Sequence, residues 1–152
     1  MSRKILFALL AALAAGPALA HDDATLDAMA SPHGGQTRMA GAYHFELVLD
    51  KKAAAGRPSS VRVFLSDHGG AVVPAKGLSA TATLLGPGGK HSLRLEPDGP
   101  SSLGGSAVYQ ADPALKAVVS VTFPDGRVEQ ARFEPFKSAG VAAVKSGEER
   151  RP

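Results

Sequence analysis

The stretch Tyr43–Leu49 reads YHFELVL, and its alternation is the feature that most restricts the fold. Successive side chains of a strand point to opposite faces, so Tyr43, Phe45, Leu47 and Leu49 share one side and His44, Glu46 and Val48 the other. One face is apolar enough to build a core. Val61–Ser66 repeats the pattern, with Val61, Val63 and Leu65 inward. Further short strands are predicted over 78–85, 90–96, 103–110, 116–123 and 127–133. They are punctuated by GPGG, PDGP and the hairpin triplet Pro124-Asp125-Gly126. No amphipathic segment of helix length interrupts them. The expectation is an all-β domain, an immunoglobulin-like antiparallel β-sandwich of about seven strands.

The ends of the chain read differently. Arg3 and Lys4 precede an uncharged apolar run from Ile5 to Ala15. Gly16 and Pro17 break it, and Ala18-Leu19-Ala20 supplies small residues before a cleavage point. Residues 1–20 are therefore expected to be a secretory signal peptide, cut after Ala20, of bacterial style and directed to the periplasm. The apolar run is too short to span a bilayer, so no membrane insertion is expected after cleavage. Residues 21–32 are expected to be a flexible arm, with at most one helical turn over Thr25 to Ala30 that nothing caps firmly, 33–137 the β-sandwich domain, and 138–152 a disordered tail rich in Ala, Lys and Glu.

Charge and cysteine content narrow the function. Removing Arg3 and Lys4 with the leader leaves 15 basic against 14 acidic residues. That balance, with few aromatics and no basic stripe, argues against nucleic acid as a partner. The chain has no cysteine, hence no thiolate ligand, redox pair or cysteine nucleophile. A metal would have to be held by His, Asp, Glu, Met or backbone groups, which suits copper(II), zinc or nickel. The motifs of zinc peptidases, serine hydrolases, nucleotide-binding loops and dinucleotide folds are all missing, so an enzyme is not expected.

Five histidines remain to be explained. His44 and Glu46 stand two residues apart on the polar face of their strand. If strands 43–49 and 61–66 pair antiparallel, Asp67 and His68 return to the start of the first strand. His33, carried on Gly34-Gly35, enters just ahead of it. His33, His44, Glu46 and His68 are thus candidate metal ligands, with Asp67 as a further ligand or as the orienter of an imidazole. Taken singly, each has a plainer reading: His44 as the ion-pair partner of Glu46, His68 as a polar turn residue, His33 as part of the arm. His91, beside Lys90, reads as a surface residue. His21 would be the first residue after cleavage, and its α-amine and ring could open a second copper site. A copper-dependent oxidase built there is a third, minor reading. Met29 and Met39 are too few for a methionine-rich copper(I) site.

The segments PHGGQTRMAGAYHFELVL, VRVFLSDHGGAVVPAKG and AVVSVTFPDGRVEQARF resemble small periplasmic proteins that accompany bacterial heavy-metal efflux systems. They also look like the β-domain near the N-terminus of some adaptor subunits of those pumps. The resemblance covers roughly residues 33–134 and rests most on His33, His44, Glu46 and Asp67-His68. It implies periplasmic binding of copper, zinc, nickel or a related divalent ion in homeostasis or efflux, with a pump component as partner. The alternative from another class is a non-metal interaction module whose exposed edge docks on an efflux or envelope component.

Overall fold

The computed structural model describes residues 23–137. The expected signal peptide, His21 and the expected tail 138–152 lie outside the described residues. The domain is all-β and antiparallel. A short helix α1 (Asp23–Ala28) leads into eight strands: β1 (Gln36–Ala40), β2 (Tyr43–Leu49), β3 (Pro58–Asp67), β4 (Ser79–Gly86), β5 (Gly89–Pro97), β6 (Ser102–Val108), β7 (Lys116–Thr122) and β8 (Val128–Phe133).

The strands form one hydrogen-bonded order, β1-β2-β3-β6-β5-β4-β7-β8. This differs from a seven-stranded sandwich in two ways. An additional strand, β1, occupies Gln36–Ala40, where no strand was expected. The two halves are also joined through β5, whose residues 89–95 pair with β4 while Glu96 and Pro97 pair with β6. The crossing requires close backbone approach. A Cβ at Gly105 would lie 3.0 Å from the Arg94 carbonyl oxygen, so glycine permits the corner. The outermost strands, β1 and β8, come together at a seam, where the Glu134 backbone N–H donates to Gln36 Oε1 at 2.8 Å. The result is a nearly closed, barrel-like sheet, which leaves little free strand edge.

The alternation read from the sequence fills the interior. Phe45, Leu47, Val61, Val63, Val119 and Val121 are fully buried, and Phe133 joins them from β8. Burial of this kind contributes roughly 25 cal/mol per Å² of apolar surface removed from water, and it sets the register of every strand. Tyr109 secures one end. Its hydroxyl donates to the Ser60 carbonyl at 2.6 Å and accepts the Asp50 N–H at 2.8 Å. Burial pushes its pKa above the ordinary value.

Residues 23–28 depart from the expected flexible arm. They form α1, with Leu26 buried, because Arg38 on β1 is a buried cation that needs anionic partners. Asp27 supplies them with two contacts to the guanidinium, at 2.7 and 3.2 Å, and Asp23 lies 3.5 Å from Arg38 Nε. The hydrogen bond from Arg38 holds the Asp27 carboxyl below its ordinary value of 3.8. A depressed carboxyl contributes stability above its unfolded pKa and loses it as pH falls through the folded value. The docking of α1 is therefore expected to weaken below about pH 4. Asp27→Asn should cost at most about 1 kcal/mol near neutrality, since the pair is partly exposed, and nothing in acid. Denaturant unfolding of both proteins across pH 3–7 measures this, and an equal cost at both ends of the range would contradict it. No described helix is long and apolar enough to cross a membrane.

Candidate functional site

β2 and β3 pair antiparallel, with Tyr43 opposite Asp67, His44 opposite Ser66 and Glu46 opposite Phe64. The connection folds back as the sequence suggests, and residue 68 returns to the neighbourhood of residue 44. The outer face of these strands is covered. The segment after α1 lies across it, and together they line an open cavity of about 480 Å³. His33, His44, Glu46 and His68 all line this one cavity, with Phe64 and Met29.

Glu46 shows why the chain bends over the sheet here. A carboxylate on a strand would normally face water, yet Glu46 is only 5 % exposed. Burying it demands donors, and three are present. Oε1 accepts the backbone N–H of His33 at 2.8 Å and of Gly35 at 3.0 Å. Oε2 lies 2.7 Å from His33 Nδ1. With Nδ1–H donated to the carboxylate, a neutral His33 ring keeps its lone pair on Nε2. A carboxylate behind an imidazole in this way orients ligating histidines at metal centres. The His33 ring also stacks on Phe64, centroids 3.6 Å apart and planes 4° from parallel.

His44 and His68 form a second group. Their ring centroids are 5.0 Å apart and the planes meet at 28°. His44 is half-buried with its Nε2 atom enclosed, while His68 is exposed on the turn after β3. Strand geometry separates this group from His33. His33 sits above the Glu46–Phe64 pair, and the His44–Ser66 pair lies two residues along, roughly 7 Å away at the rise of a strand. Among the described residues, no three His, Asp or Glu side chains meet closely enough to hold an ion together.

Asp67 is not brought into the set. It pairs with Tyr43 on the other side of the strand, and its Oδ1 accepts the Ala71 N–H at 2.8 Å. The Gly70 N–H donates to the Asp67 carbonyl at 3.0 Å. Asp67 is thus the residue that shapes the turn presenting His68. His91 lies elsewhere, its Nε2 3.3 Å from the Gly88 carbonyl.

Sequence reasoning did not single out Phe64 or Arg38. Phe64 carries a legible signal, because it is a large apolar residue on the outward side of a strand whose inward residues are Val61, Val63 and Leu65. Such a residue marks an outer face that something covers. Arg38 carries no such signal, since its partners come from a helix with no firm cap. The chain matches no protein-family model, and no curated protein matches it significantly.

Proposed function

We propose that this domain is a non-enzymatic metal-binding protein of the periplasm, which holds copper, zinc or nickel in the cavity over β2 and β3 and passes it to a partner. The observation that carries the reading is the gathering of three of the five histidines, His33, His44 and His68, around one cavity. The resemblance to proteins of heavy-metal efflux systems supports it and suggests a pump component as the recipient.

The residues present fit an open site better than a closed one. His44 and His68 would supply two imidazoles from adjacent strand ends. Glu46, whose carboxylate already serves three N–H groups, would orient His33 instead of ligating. His33 would join as a third ligand once the covering segment or the 67–71 turn shifts inward. Such a site releases its ion readily, which suits a carrier. An ion bound there would be held as cargo. Because imidazoles bind only when neutral, loading should weaken as the solution is made acidic.

Calorimetric titration of the chain from His21 onward with Cu(II), Zn(II) and Ni(II) near pH 7 tests this. The expected result is one ion per chain, with binding lost in a His44→Ala/His68→Ala double variant that keeps its β-sheet circular dichroism. Binding that survives the double variant would remove the site from this cavity. Absence of binding by the parent protein would favour the interaction module.

A further inference from the structure

We infer that the free edge of β5 docks an extended peptide segment of a partner protein, one that alternates acidic and small apolar side chains. The inference does not depend on the metal-binding reading, because no residue lining the cleft at this edge lines the cavity over β2 and β3.

β5 and β6 join the two halves of the barrel, yet they pair only through Glu96 with Gly104 and Pro97 with Leu103. Beyond that corner β6 stays paired with β3 as far as Val108, and β5 stays paired with β4 back to Gly89. Over these stretches each strand has one side with no strand partner among the described residues. A strand bonds to its neighbour through alternate residues, so the N–H and C=O groups of the others point out of the free edge. Between the two edges opens a cleft of about 200 Å³, walled by Leu84, Val108 and Leu115, with His91 at its side from β5. That volume falls below the roughly 300 Å³ at which pockets for drug-sized ligands begin. Aliphatic side chains suit it better than a separate small molecule. Main-chain donors and acceptors beside an apolar cleft fit an added strand, whose backbone supplies the hydrogen bonds and whose alternate side chains enter the cleft.

Charge selects which strand is accepted. Along β5, His91, Leu93 and Leu95 face inward, whereas Lys90, Ser92 and Arg94 are exposed on the outer face. Arg94 already pairs with Glu96, but Lys90 has no ion-pair partner among the described residues. A second copy of this chain is disfavoured. Adding antiparallel through its own β5 about Ser92, it would set Lys90 opposite the copy's Arg94 twice over, and like charges directly opposite destabilise a strand pair. A lysine on a free edge likewise turns away neutral, aggregation-prone strands. A strand with carboxylates on its outer face gains at Lys90 where those lose, and its inward residues meet His91, Leu93 and the apolar cleft.

The test titrates end-blocked peptides as long as β5 into the chain from His21 onward, followed by nuclear magnetic resonance and amide exchange. One peptide alternates glutamate and valine, a second holds the same residues in two separate blocks, and a third alternates lysine and valine. The alternating acidic peptide should slow exchange at alternate amides of Gly89–Arg94 at least about tenfold at saturation. The block peptide should bind at least about tenfold more weakly, since only alternation puts every valine on the cleft side. Lys90→Glu, a change at an exposed position, should cut affinity for the acidic peptide about fivefold and raise it for the lysine peptide. Peptide binding that leaves the β5 amides unprotected, or no binding at all, would overturn the inference. So would equal affinity for the block and alternating peptides, which would reduce the effect to charge alone. Concentration-dependent self-association that protects Gly89–Arg94 without peptide would overturn the choice of occupant in favour of a second copy.

Discussion

Gly35→Ala is expected to destabilise the domain by about 3 kcal/mol, the upper part of the range for overpacking a tight contact. A Cβ at Gly35 would collide with the Leu47 carbonyl, lying 2.8 Å from its carbon and 2.9 Å from Val48 Cγ2. The carbonyl is main chain of the central part of β2, which cannot yield without disturbing its pairing with β3. The neighbouring glycine gives an internal control. Gly34 has φ of 75° and an added methyl there would meet nothing within 4 Å, so Gly34→Ala meets only backbone strain, about 1 kcal/mol. Urea unfolding of the two variants should rank them in that order. Equal costs would mean that the segment is not held tightly against β2.

Replacing Glu46 by leucine is expected to cost about 2 kcal/mol and to free the segment over the site. The change removes the acceptor for the His33 and Gly35 N–H groups and for the His33 ring at once. The segment then gains more by hydrating those donors than by staying on the sheet. Amide exchange at residues 33 and 35 should accelerate toward that of an unprotected chain, and the upfield ring-current shift of the His33 protons over Phe64 should disappear. Glu46→Gln separates shape from charge: it retains an acceptor for the backbone amides but not the carboxylate behind the ring. It should therefore keep most of the stability while lowering any histidine-dependent metal affinity by about tenfold or more, as loss of such orienting groups does elsewhere. Unchanged amide protection in the leucine variant would show that Glu46 does not hold this segment.

The two HGG stretches thus have different physical reasons. The first wraps the backbone around a buried carboxylate, where one glycine supplies a left-handed turn and the next a place where no side chain fits. The second belongs to a turn shaped by the Asp67 carboxylate, and it presents His68 beside His44. Their likeness as text does not reflect a shared role.

How much of this was legible in advance follows from the range of each interaction. The boundaries of β2 were readable to the residue, because alternation is a local property of a half-buried strand and Phe45, Leu47 and Leu49 declare the buried side. The antiparallel return that brings His68 to His44 was readable for the same reason, from two adjacent alternating runs. β1 was not, since QTRMA has no alternation of its own and is ordered by pairing with β2. α1 was legible only as an uncapped turn inside the expected arm, since its anchors are a cation on another element and a cavity wall.

The sequence by itself therefore determined that the chain is antiparallel β, which faces enter the core, and which histidines share a neighbourhood. Only the tertiary structure decided that Glu46 serves the segment carrying His33, that Asp67 serves a turn, and that Phe64 and Met29 line the cavity beside the histidines. The reason is physical. Alternation encodes which side of a strand avoids water, but the partner of a buried charge or the lining of a cavity depends on segments far apart in the chain. Their meeting is fixed by the register of the whole barrel.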